Sequence, residues 1–370
     1  MAEGFILFCV VIMWPMLFSV PVLYGRYAAK VGDTLLMTTV ALFVAFLAWV
    51  ILGYYLTFAP SVSVEGYGQY LTQLQAGDSR LILAVVLQAC FFLYAVGMFV
   101  GTLMHRVEWP FFILFVPLWL LLVYVPIARL LWNPQGFLHQ AGALDFSGGL
   151  VVHVSAGFTS LLLACYYNDK ESEIRIQRSG AQTLSIHYLA TILISFGWFG
   201  FNLGPIDNLD KQLGLVLINT ILAIIGGSAG FLLYRRRTVT IDDLMSGMIV
   251  GLVTSTALVG YVRPLEMLVV TVVSGLVVCF LMERLQLNDP VDSFVMNGVG
   301  GLVGALGSIL LVNPALTPDG QAGVFISGVG LKGFPLYQGI AIVLTILISL
   351  IGTYLALIVT DDYLRERRSE

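Results

Sequence analysis

Long apolar runs, each near membrane-spanning length, alternate with short polar punctuation along the whole chain. A helix crossing about 30 Å of hydrocarbon needs roughly 20 apolar residues. Such runs fall near 4–24, 34–58, 81–104, 110–132, 148–167, 184–204, 212–234, 244–262, 265–283, 293–313 and 335–360. The pattern predicts an all-α polytopic membrane protein with eleven transmembrane helices over residues 1–360 and a short charged stub over 361–370. The opening stretch, "MAEGFILFCVVIMWPMLFSV", has neither a basic n-region nor a small-residue cleavage site, so it reads as the first span and not as a signal peptide. The long polar connection near 59–80 contains Gly and Gln and nothing chemically distinctive.

Composition agrees with that pattern. Of the 370 residues, 58% are hydrophobic and 11% charged, and the mean hydropathy is +0.92. A soluble domain carries about 25% charge, so this chain cannot cover a water-facing surface. No basic stripe points to nucleic acid. Cys9, Cys90, Cys165 and Cys279 each sit in an apolar run with no metal-ligand spacing, which reads as four small buried residues. His105, His139, His153 and His187 share no ligand spacing either. With no HExxH and no glycine-rich phosphate loop, the sequence offers no cofactor, metal or intramembrane enzyme.

Basic residues set the orientation. Arg26, Lys30, Arg106, Lys170, Arg175, Arg178, Arg235 to Arg237, Arg284, Arg365, Arg367 and Arg368, thirteen of the eighteen Lys and Arg, fall on one side. Arg80, Arg129, Lys211, Arg263 and Lys332 fall on the other. The positive-inside rule then puts the N-terminus outside and the C-terminus in the cytoplasm of the cell (inner) membrane. A wrong span count would scramble this asymmetry, so it also supports eleven.

Two stretches resemble each other. "DFSGGLVVH", 145–153, and "DPVDSFVMN", 289–297, each begin with Asp and reach a polar side chain eight residues later inside an apolar helix. They open the fifth and tenth spans. Five spans per half, about 1–180 and 181–315, give an inverted repeat with the eleventh helix (about 335–360) appended. Such repeats place their site near the midplane, where His153 and Asn297 would be pseudo-symmetric mates. An ionisable residue at that depth is expensive and marks a functional position.

The motifs carry a family resemblance. "GALDFSGGLVVHVSAG", "GWFGFNLG" (197–204) and "NDPVDSFVMNGVGG" (288–301), with "VLYG" (22–25) and "GLVTSTALVGYV" (251–262), resemble the ammonium transporter (Amt/Mep/Rh) family in order from first span to last. The resemblance implies the Amt/Rh fold and a homotrimer in the lipid bilayer, with one pore per subunit for ammonium or ammonia. It implies an outer aromatic shelf that recruits the cation, here Trp132. A Trp face attracts a cation with roughly 2 kcal/mol once water is excluded; the plainer reading is an interfacial belt tryptophan. It further implies two stacked rings that close the pore, Phe91 and Phe201, with Trp198 beside them; the alternative is ordinary packing. Asp145 would cap the broken fifth helix and leave a negative potential near the cation, or act as a cap alone. Asp289 and Asp292 open the tenth span similarly.

The chain departs from the family at the pore's centre. Two facing histidines are expected there to relay a proton. His153 matches the first, but Asn297 stands at the second, and a carboxamide does not take up a proton near neutral pH. Pro205 replaces a usual serine near the cation, and His105 stands where the family tends to carry an acid. The stub at 361–370 is shorter than the family's cytoplasmic tail. These departures resemble the sensor-type Amt proteins, some of which are fused to signalling domains. The resulting expectation is an ammonium sensor with weak or no transport and a possible fused C-terminal signalling domain; the alternative is a transporter or channel with an unusual pore.

Overall fold

A computed structural model describes residues 3–25, 27–28, 30–168, 181–206, 209–285, 287–328 and 330–369. Arg26, Lys170, Arg175 and Arg178, used in the charge count, lie outside the described residues. The described chain is all-helical. Ten of its helices are long and apolar enough to cross a membrane, from Glu3–Tyr24 to Phe334–Leu364. The predicted eighth span is the exception. It is helical over only Ile241–Ser255, 15 residues, and continues as buried turns through Val262. The carbonyls there pair outside their own segment, as where Thr256 O accepts the Ser147 N–H at 2.8 Å. Breaking the helix frees them to bond the chain that opens the fifth span.

Four spans contain a turn of π-helix: Trp49–Gly53, Leu120–Tyr124, Gly149–Val154 and Phe294–Val299. The last two matter most, because each opens a half-helix. The fifth span is six π-helical residues followed by twelve α-helical ones, Ser155–Tyr166. The tenth repeats that plan with Gly300–Leu311. Both starts are capped by a buried aspartate. Asp145 accepts the N–H groups of Leu150 and Val151 at 3.0 and 2.9 Å. Asp289 accepts from Phe294 N–H at 2.9 Å and from Thr102 Oγ1 at 3.0 Å. Each aspartate accepts from the backbone N–H five residues after it, Leu150 and Phe294.

Small residues let these half-helices touch. A Cβ on Gly157 would lie 2.1 Å from the Gly298 nitrogen, so the fifth and tenth spans cross with backbone against backbone. Lipid gives no hydrophobic push between helices, so close backbone packing supplies much of the attraction. The seventh, eighth and ninth spans meet similarly through Gly227, Gly230, Gly247, Gly251 and Gly275. Cys9, Cys90 and Cys279 are buried. Cys165 is exposed, against the expectation of four buried cysteines, because it falls in the last turn of the fifth span. The connection near 59–80 contains the helix Val64–Gln75, capped by Ser63, whose hydroxyl accepts from Gly66 N–H. Polarity alone had concealed that amphipathic helix.

The Gly157 contact is testable. Gly157→Val should overpack the crossing and cost about 1–3 kcal/mol, read as a lower melting temperature in detergent. Gly214→Ala, where an added Cβ meets nothing within 4 Å, should leave the melting temperature nearly unchanged.

Candidate functional site

A column of aromatic rings descends from the end of the fourth span to the centre of the bundle. Trp132 ends the helix Val125–Trp132. Its neighbours fix that end: Arg129 donates to the carbonyls of Leu56 and Ala59 at 2.7 and 3.0 Å, and Asn133 Nδ2 donates to Thr57 O at 2.7 Å. These groups cap the last carbonyls of the second span. The Trp132 indole N–H donates to the main-chain oxygen of Asp145 at 2.8 Å. Phe91 meets Trp132 edge-on, with centroids 5.6 Å apart, and packs on Phe201 at 4.4 Å. Both phenylalanines are fully buried. Beneath them His153 stacks flat on Trp198, 5.4 Å between centroids and 7° between planes. Tyr94 closes the side edge-on to His153 at 6.0 Å.

His153 and Asn297 face each other where the two half-helices cross. His153 Nδ1 lies 3.2 Å from Asn297 Oδ1, and Asn297 Nδ2 points to Ser293 Oγ at 3.5 Å. Ser293 Oγ in turn accepts from Ser160 at 2.9 Å. This chain sets the tautomer. An amide oxygen only accepts, so Nδ1 carries the proton and Nε2 presents a lone pair. Among the described residues, His153 Nε2 and Trp198 Nε1 are buried without a hydrogen-bond partner. A buried acceptor and a buried donor on adjacent stacked rings are costly unless something small and polar visits them.

The seven residues that the sequence assigns to the shelf and pore therefore meet: Phe91, Trp132, Asp145, His153, Trp198, Phe201 and Asn297. Asp145 stands slightly apart in role, since both carboxylate oxygens face backbone N–H groups and only its carbonyl meets Trp132. Pro205 follows the sixth span. His105 belongs to a loop at the opposite end, with φ of 66° and its ring 3.3 Å from Tyr27 O. It borders a cleft with Lys30 and Arg106.

Residues 4–369 match the model of the Ammonium Transporter Family. The chain belongs to that family. It is 30% identical to the ammonium transporter of Bacillus subtilis strain 168, with 97% of this chain and 93% of the relative aligned. It is 30% identical to a putative ammonium transporter of Methanothermobacter thermautotrophicus over 81% of this chain and 76% of the relative. Among solved structures, a truncated Mep2 from Candida albicans superposes with a TM-score of 0.81 at 26% identity, covering 97% of this chain and 92% of that one. A sensor Amt protein superposes at 0.82 and 19% identity over 97% and 93%, a likeness of fold. The chain thus belongs to a family of transporters, not of enzymes.

Several supporting residues escaped the sequence reading of this family member. Ser147 donates to Asn202 Oδ1 at 2.7 Å, and Asn202 Nδ2 donates to Thr220 at 3.0 Å. That network ties the fifth span to the sixth and seventh. Gln338, in the eleventh, pairs with both main-chain polar groups of Leu144 at 2.8 Å. A signal was available for two of them: Asn202 and Gln338 are each a lone carboxamide in an apolar run, and polar side chains at membrane depth mark partners or function.

Removing the Asp145 carboxylate leaves two buried N–H groups unpaired, at about 1–3 kcal/mol each. Asp145→Ala should therefore lower the detergent melting temperature clearly, while Asp145→Asn, which keeps one acceptor, should lose about half as much.

Proposed function

We propose that this member of the Ammonium Transporter Family is an ammonium receptor that conducts weakly or not at all. The carrying observation is the hydrogen bond from His153 Nδ1 to Asn297 Oδ1. A charged ammonium ion at the bilayer centre costs about 3 kcal/mol or more, so passage through a pore closed by Phe91 and Phe201 favours leaving the proton behind. Two imidazoles could pass that proton along. One imidazole bonded to a carboxamide has nowhere to hand it.

Binding does not need the relay. Trp132 recruits the cation by its ring face, Phe91 and Phe201 gate the way inward, and Trp198 with His153 lines the space beneath. Asp145 holds the fifth helix start and its electrostatics beside the shelf. In this reading the protein is a homotrimer in the cell membrane, N-terminus outside, and its signalling partner or fused domain is reached from the cytoplasmic end of the eleventh helix.

A second reading, an ammonium transporter with an altered pore, is favoured by the 30% identical Bacillus relative that bears that name. A neutral ammonia molecule can cross a dry pore without a relay.

Flux separates the two. Proteoliposomes carrying the wild type should give no sustained ammonium-driven current above empty vesicles, and Asn297→His should raise it. Robust wild-type current would refute the receptor reading; an Asn297→His variant that folds yet stays silent would remove its chemical basis. Trp132→Leu should weaken ammonium binding about tenfold, as expected for losing a partly desolvated cation–π contact, measured by calorimetric titration.

A further inference from the structure

The shelf is held from the last helix, Phe334–Ser369. Gln338 lies in the eleventh span and is fully buried. Its Oε1 accepts the Leu144 N–H at 2.8 Å, and its Nε2 donates to Leu144 O at 2.8 Å. One side-chain amide thus satisfies both polar groups of a single residue, as a neighbouring strand would. Leu144 immediately precedes Asp145, whose carbonyl oxygen takes the Trp132 indole N–H and whose carboxylate caps the fifth helix.

We propose that Gln338 is a positioning residue for the cation shelf: it sets the place of the 144–145 backbone, and through it the orientation of Trp132. This rests on the shelf being the ammonium site. The physical ground is that a buried unpaired N–H or C=O costs about 1–3 kcal/mol. Without Gln338, the Leu144 backbone must move to find other partners, and the Asp145 carbonyl moves with it. Because Gln338 belongs to the last helix, the motion of that helix bears on the shelf.

The same helix follows the fifth span to its far end. Thr353 and Thr159 hydroxyls meet at 2.9 Å. Tyr166 and Tyr167 each donate to a carboxylate oxygen of Asp361 at 3.0 Å. The helix continues to Ser369. By linkage, any partner that shifts the end of this helix changes ammonium affinity, and ammonium shifts the helix by the same coupling.

The test is Gln338→Met, which keeps the length of the side chain and removes both bonds, beside Gln338→Glu, which keeps the acceptor for Leu144 N–H. Ammonium chloride affinity is measured by titration calorimetry on the full chain in detergent. Hydrogen exchange is followed over 145–152, with 84–100 as control. The expected result for Gln338→Met is a tenfold or greater loss of affinity, with faster exchange confined to 145–152; Gln338→Glu recovers part of both. Affinity within twofold of wild type overturns the proposal. So does exchange rising equally in both segments, which marks a merely loosened fold. If Gln338→Met does not fold, Gln338→Glu decides alone, and unchanged affinity together with unchanged exchange over 145–152 overturns the proposal. A wild type that binds no ammonium overturns the receptor reading itself, and this inference with it.

Discussion

A backbone N–H that starts a helix inside a membrane protein has no water to turn to, and leaving it unpaired costs several kcal/mol in hydrocarbon. That constraint shapes the centre of this molecule. A complete helix satisfies it by running from one surface to the other. A helix that begins within the protein needs an acceptor supplied by side chains. Asp145 and Asp289 supply it for the fifth and tenth spans, and the wider π-helical turns that follow adjust the register of the residues behind them. Because both half-helices start by the same device, His153 and Asn297 each stand eight residues after their capping aspartate, and their side chains meet.

Their meeting requires a second condition, close approach. Gly157 against Gly298, and Gly301 against Gly149 and His153, bring the two backbones together so that short side chains reach across. A larger residue at these positions would separate the helices by more than a hydrogen bond can span. Stability and site geometry are therefore the same contacts seen twice: the packing that holds the halves together also sets the distance from His153 to Asn297.

Much of this was legible in the sequence. Length and hydropathy of the runs locate the spans, and the eighth shows where that signal stops short. Its run is apolar from 244 to 262, yet the helix stops at Ser255, because the carbonyls beyond it pair with the signature stretch, and hydropathy does not register where a hydrogen bond goes. The aromatic column and His153 with Asn297 were reached by motif order and by the rule that polar residues inside membranes have a role. Gln338 and Asn202 satisfy that same rule, but no motif surrounds Gln338, and within its motif nothing marks Asn202 off from its neighbours. The helix Val64–Gln75 escaped for a different reason: its apolar face is narrow and packs on a tyrosine cluster, with Tyr55 and Tyr70 at 5.8 Å.

The exchange of a second histidine for Asn297 has a consequence beyond the loss of a proton carrier. Two facing imidazoles can each be donor or acceptor, and the pair can swap roles as a proton arrives. Asn297 removes that freedom. Its Oδ1 can only accept and its Nδ2, turned toward Ser293, can only donate, so the His153 tautomer is fixed with the lone pair on Nε2. On the receptor reading, this converts a conduit into a receptacle. A fixed acceptor at Nε2 then suits a small neutral donor of N–H bonds, such as ammonia, and gives a proton left at the shelf no route onward. On the same reading, selectivity would follow from the order of the column. In that proposal Trp132 receives the cation by its π face, the paired phenylalanines bar a hydrated ion, and only a small species able to donate to Nε2 is compensated beneath them. An alkali ion offers no N–H to that acceptor, so on this reading the unpaired His153 Nε2 favours a nitrogen ligand over potassium.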